Sequence, residues 1–225
     1  MNSYIALNTK LRGRAASLPH RIQGALCQER KGLLADILAQ ELRHIRPYLS
    51  KPSRDFVTSW AKNFDGYEAL QAIKKLDKPD REALKRVFGT EIDLKNILII
   101  YRLKKHFDTH GDMVYAHLIP SSYKLRAQEI NQLAHAKDMT HFTQAAASGR
   151  YGAVFNNANA FIHAEQSLSR AVSLQFKEQS RRGGLAVVCG YLYSLRLEVQ
   201  RRLLHDYKNE IHKHNGAYRG HEPRG

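Results

Sequence analysis

GTEIDLKNILIIYRLKKHFDTHGDMVYAHLIPSSY, residues 89–123, decides the fold of this chain. Gly89 is the residue type that closes a helix in the left-handed conformation. Thr90 then reads as the cap of a following helix, with Asp93 three residues on as its capping-box partner. Together they predict a sharp corner between two helices, with a positive φ at Gly89. The next helix is apolar nearly all round, through Ile92, Leu94, Ile97, Leu98, Ile99, Ile100, Tyr101, Leu103 and Phe107. Its polar line is narrow: Glu91, Lys95, Arg102 and His106. A helix of this kind belongs at the centre of a bundle. His110-Gly111 reads as a turn, and Asp112 as the cap of a helix ending at Pro120. Asp93 has a second reading, a buried acid beside an apolar helix; the capping box needs fewer assumptions.

Helical periodicity continues on both sides. Upstream it predicts helices from about Ser3 to Leu18, over Ile22–Ile45, and from the Pro47–Ser53 loop to about Leu76. Asp77 to Pro79 opens the next helix, the one Gly89 closes, since proline is tolerated in a first turn. Downstream, short helices are expected at about Arg126–Ala136 and Met139–Ala147, the second capped by Asp138 and stopped by Ser148-Gly149. Longer helices over Asn157–Arg181 and Leu185–Lys213, separated by Gly183-Gly184, predict an antiparallel hairpin. Leu185–Tyr193 is strand-like alone, but its 3.6-residue pattern continues to Leu203 and Leu204, so it reads as helix. The expected fold is all-α, made of multi-helix bundle lobes with short corners. It occupies residues 1–214 as one domain, with two lobes at about 1–123 and 124–214, and a disordered tail over 215–225.

The chain has 225 residues, 43% hydrophobic and 25% charged, ordinary values for a globular protein. Its charge is not ordinary: 36 Lys and Arg against 21 Asp and Glu give +15. Such a balance favours an acidic partner, whether nucleic acid, an anionic lipid surface or an acidic protein. Cys27 and Cys189 have no metal-ligand spacing, which fits a reducing cytoplasm. No apolar run approaches the ~18 residues of a membrane span. Asn2, Ser3, Asn8 and Thr9 interrupt the N-terminal apolar residues, unlike a signal peptide. A role at a membrane would therefore be played from outside the bilayer.

No catalytic, cofactor or metal constellation stands out. Glycine-rich phosphate loops and a Gly-x-Ser-x-Gly elbow are missing, so neither nucleotide binding nor ATP hydrolysis is expected. Among the 12 histidines, His212 and His214 read as a solvated helix end, and His106, His117 and His135 as helix-surface residues. Basic residues gather at Lys10, Arg12, Arg14 and Arg21, at Lys104, Lys105 and His106, and at Arg181, Arg182, Arg196, Arg201 and Arg202. Arg196, Arg201 and Arg202 lie within two helical turns and form the candidate interaction surface, expected on one exposed face. A nucleic-acid reading would want aromatic platforms, whereas the tyrosines and phenylalanines mostly fall at core-like spacing.

The runs Phe88-Gly-Thr-Glu-Ile-Asp-Leu-Lys-Asn-Ile97, Ile100-Tyr-Arg-Leu-Lys-Lys105 and Leu118-Ile-Pro120 resemble the family that holds the C-type stalk protein of A/V-type rotary ATPases. Its d-type counterpart in eukaryotic vacuolar ATPases is in the same family. Tyr67, the LDKPDREALKRVFGT run, Tyr123-Lys-Leu, Arg150-Tyr-Gly, Tyr191 and Glu198 give looser support. The matching motif residues are Gly89, Thr90, Asp93, Asn96, Arg102 and Pro120. The resemblance implies an all-helical, funnel-like central-stalk protein without an active site. Its implied partners are the membrane rotor ring and the central shaft, with peripheral contact to the membrane surface and no small-molecule substrate. Family members are longer and contain three lobes, where 225 residues hold about two; a shortened bacterial variant is the expectation this raises. The alternative from another class is a basic helical module that binds nucleic acid.

Overall fold

A computed structural model describes residues 6–7, 9–14, 32–107, 109, 111–156, 161–181 and 183–218, with backbone alone for 207 and 210–218. Among these residues every regular element is a helix, in keeping with the all-α expectation. Residues 9–14 are helical, and α1 (Leu33–Ile45) follows Gly32, whose φ of 87° is left-handed. A 3₁₀ turn over Arg46–Tyr48 leads to α2 (Lys51–Asn63), capped by the Ser50 hydroxyl. The expected unbroken helix to Leu76 is instead two. Phe64 adopts a φ of 54°, its N–H closes on the Trp60 carbonyl, and Asp65 caps α3 (Gly66–Ala72) by accepting from the Glu68 amide at 2.8 Å. The cap at Asp65 outcompetes continuation of the hydrophobic pattern, and Phe64 turns its ring inward against Trp60, 4.7 Å away.

From Lys78 to Phe107 the chain is one helix, α4, of 30 residues. Its start is as expected, with Pro79 in the first turn and Asp77 accepting from the Asp80 amide at 3.0 Å. The corner expected at Gly89-Thr90 does not exist. Gly89 lies inside α4 without a positive φ, and Thr90 and Asp93 are mid-helix residues. Space, not conformation, explains the glycine: a Cβ there would lie 2.5 Å from Cγ and 2.6 Å from Cβ of Tyr123.

Beyond α4, the helix expected to end at Pro120 is a 3₁₀ helix over Gly111–His117, with Pro120 in the irregular segment after it. Then come α5 (Ala127–Ala134), α6 (Met139–Ser148, capped by Asp138), α7 (Gly152–Phe155), α8 (Ala164–Ser180) and α9 (Leu185–Tyr218). Gly183 and Gly184 have φ of 78° and 75° and reverse the chain between α8 and α9. The Ser180 hydroxyl donates to the Ala186 carbonyl, and Gly190 admits Phe176, so the two helices meet antiparallel as expected. Expectations for 1–5, 8, 15–31, 110, 157–160, 182 and 219–225, including Cys27, lie outside the described residues.

Contacts group the chain into two units, Met1–Leu49 with Tyr191–Gly225, and Ser50–Gly190. In the first, the Glu41 carboxylate is fully buried and accepts from Arg14 at 2.7 and 2.6 Å and from the Tyr191 hydroxyl at 2.8 Å. In the second, α4 is the core, packed mainly on α8 and α3. Two aromatic groups flank it. One joins Phe56, Trp60, Phe64, Phe88 and Phe176; the other joins Tyr101, Phe142, Phe155 and Phe161.

The glycine notch makes a prediction opposite to that of a left-handed corner. Alanine favours a helix interior over glycine by about 1 kcal/mol, but overpacking against a fixed ring costs about 1–3 kcal/mol. Gly89→Ala should therefore destabilise the wild-type protein, yet stabilise a Tyr123→Gly background, where both the ring and the Cβ that meet it are gone. Urea unfolding of the four proteins checks this; the same effect in both backgrounds would contradict it.

Candidate functional site

Gly89, Asp93 and Asn96 stand at i, i+4 and i+7 of a continuous helix, which places them on one stripe. The irregular segment 119–125 lies along that stripe. Asn96 holds the backbone on both sides of Pro120. Its Oδ1 accepts from the Ile119 amide at 2.9 Å, and its Nδ2 donates to the carbonyls of Ile119 and Ser121, each at 3.2 Å. Pro120 has no N–H to satisfy, so this clasp serves the polar groups around it. One turn earlier on α4, Asp93 accepts from the amides of Tyr123, Lys124 and Leu125 at 2.8, 2.7 and 2.9 Å. Next, Gly89 leaves room for the Tyr123 ring.

A fourth donor reaches Asp93 from further along the chain: the Tyr151 hydroxyl, 2.6 Å from Oδ2. Burial, reinforced by Asp93, pushes the Tyr151 phenol far above its ordinary pKa, while the Thr90 hydroxyl beside it works the other way. Thr90 and Asp93 thus share a helix face toward Tyr151. Their three-residue spacing suits a capping box and a shared mid-helix face equally well, and only the second occurs. Neighbouring Arg150 donates its amide to Glu129 at 3.0 Å, as does Arg126 at 2.9 Å. Burial alone would raise the Glu129 carboxyl; these two amides and their guanidinium charges hold it below its ordinary pKa.

Two further buried polar residues of α4 work similarly. Asp80 accepts from the Leu185 amide at 2.7 Å, and a Cβ on Gly184 would fall 2.4 Å from the same carboxylate. Lys104 is buried and donates to the Ala134 carbonyl at 3.0 Å, so it is no part of the basic surface expected with Lys105 and His106. Arg102 forms an exposed ion pair with Glu165, a contact of small energetic weight. The site is thus a set of buried polar anchors on one helix, each gripping backbone from elsewhere. Sequence reasoning missed Tyr151, Asp80 and the role of Asn96. The available signal was polar residues at i, i+3 and i+6 (Thr90, Asp93, Asn96) inside an otherwise apolar helix.

The three candidate surface arginines are not equally exposed. Arg201 is exposed, whereas Arg196 and Arg202 are half-buried, which corrects the expected common exposed face. Arg201 grips Glu198 at 3.0 and 2.8 Å and Arg202 grips it at 2.7 Å. Hydrogen bonds from Arg201, then Arg202, pull the Glu198 carboxyl down to about 2. Glu198 therefore favours the folded state above its unfolded pKa, and that contribution is lost as pH falls from about 4.5 toward 2.

Asp93→Ala would strand three backbone amides and a phenol, and each buried unpaired group costs about 1–3 kcal/mol. A loss of at least about 3 kcal/mol is expected by denaturant unfolding, against about 1 kcal/mol for Tyr151→Phe, which removes one bond. A change of under about 0.5 kcal/mol for Asp93→Ala would show that other contacts hold the segment.

A family model described as "ATP synthase (C/AC39) subunit" matches residues 65–201. The matched stretch contains α3 through α8, the whole Asp93 cluster and the α9 arginines up to Arg201. No curated protein and no solved structure is significantly similar to the chain. The stretches that resemble the family at a distance in sequence, around Asp93, Tyr123 and Tyr151, meet at one carboxylate. With well over half of its 225 residues matched, the chain belongs to the ATP synthase (C/AC39) subunit family.

Proposed function

We propose that this protein is a non-catalytic central-stalk component that couples a membrane rotor ring to the central shaft of a V-type rotary ATPase. The family match over residues 65–201 carries the reading. Torque transfer requires a body whose parts do not shear under load. The long helix α4 supports that role, because loops that would otherwise yield are tied to it through Asp80, Asp93, Asn96 and Lys104. Among the described residues no helix is long and apolar enough to cross a membrane. The ring would therefore be met at its surface. The chain's charge of +15 suits acidic docking faces on the partners, since complementary charge speeds and orients association.

Arg196, Arg201 and Arg202 are the proposed contact charges. Reversing all three to Glu should lower recovery of ring and shaft proteins from native membranes by roughly tenfold, and high salt should mimic the change. Because Arg202 is half-buried and both it and Arg201 hold Glu198, the triple variant also loses some stability, so its unfolding is measured beside its recovery. Equal recovery at every salt concentration would remove these arginines from the interface. Absence of ring and shaft from protein purified out of native membranes, with nucleic acid in their place, would overturn the stalk reading in favour of a basic nucleic-acid module.

A further inference from the structure

Where α4 ends and α8 begins, Tyr101, Arg102, Lys105 and His106 line an open cavity of about 450 Å³ together with residues 161–166. Its floor is aromatic, Tyr101 stacked on Phe161 with centroids 4.5 Å apart. Lys105 lies over the Tyr101 ring and donates to its hydroxyl at 2.8 Å, which fixes the ammonium without neutralising it. Among the described lining residues Arg102 is paired with the one carboxylate, Glu165, which leaves Lys105 as the cation over this part of the surface. α8 also starts here, with no cap from the side chain of its N-cap residue His163 and Glu165 in its first turn, adding the positive end of a helix dipole. Two bulky apolar side chains are exposed at this end: Ile162, in the lining, is 67% exposed, and Phe107, the last residue of α4, is 73% exposed.

We infer that this end of the 50–190 unit binds the phosphate headgroup of an anionic phospholipid, with Phe107 and Ile162 entering the boundary of the hydrocarbon. Basic residues interleaved with exposed large apolar ones match a surface that offers anionic charge and hydrocarbon together. An acidic peptide would satisfy the charges and leave Phe107 and Ile162 in water. The inference does not depend on the stalk assignment, because a vesicle contains no other protein.

Sedimentation of the full chain with phosphatidylcholine vesicles, with and without phosphatidylglycerol, tests it. Binding should require phosphatidylglycerol. Lys105→Glu should weaken it by about tenfold or more, and the charge-neutral pair Phe107→Ser with Ile162→Ser also by about tenfold. Lys177→Glu, an equal charge reversal at the far end of α8, should change it by less than about twofold. Circular dichroism confirms that each variant is folded. Three results would overturn the inference. Equal loss in both charge reversals with no effect of the serine pair would mean diffuse attraction by a basic protein. Full competition by millimolar glycerol phosphate without vesicle binding would mean a site for soluble phosphate. Binding of polyglutamate that depends on Lys105, again without vesicle binding, would mean an acidic protein partner.

Discussion

Asp93 is a carboxylate with no exposed surface, yet it accepts four hydrogen bonds, three from successive backbone amides and one from Tyr151. A buried charge is tolerated only when such donors replace its water. That requirement works in reverse on the chain. Once α4 carries Asp93 into the interior, residues 123–125 and Tyr151 have one low-energy place to be. Asn96 and Gly89 extend the constraint along the same stripe, one through hydrogen bonds and the other through empty space. The irregular segment after the 3₁₀ helix is thereby tied to the core of its unit, with Leu125 buried in it, although it contains no regular structure of its own.

The apolar faces of α4 complement this polar stripe. Phe88 brings α4 against Phe56, Trp60 and Phe176, while Tyr101 brings its other end against Phe142 and Phe161. Apolar burial supplies the bulk of the driving force but no direction. The polar anchors supply direction, since each has a single geometry in which it is satisfied. Stiffness of this origin is what the proposed coupling role asks of the protein.

The all-helical class was legible from periodicity, and so were the elements with strong end signals. Asp77 with Pro79, Asp138, and Gly183-Gly184 all mark boundaries where the sequence places them. The break at Phe64 was hidden because apolar spacing runs through it, while the deciding signal was the short-range cap at Asp65. Gly89 misled for a deeper reason. A glycine beside Thr and Asp carries the same letters whether it ends a helix or admits an aromatic ring from 34 residues away. Local sequence cannot distinguish the two; the identity of Tyr123 as the neighbour is tertiary information. The arginines of α9 fail as a uniform face because Glu198, a family-like residue in sequence, is the ion-pair partner of Arg201 and Arg202 in the fold.

The central claim is that Asp93 holds residues 123–125 as firmly as the helix that carries it. Site-resolved native-state hydrogen exchange measures this directly. Locally opening segments exchange with free energies near zero, and core amides approach the global value. The amides of Lys124 and Leu125 should exchange with free energies within about 1 kcal/mol of those in the middle of α4, such as Leu98. Exchange of Lys124 and Leu125 at rates typical of an exposed loop, with Leu98 fully protected, would contradict the claim.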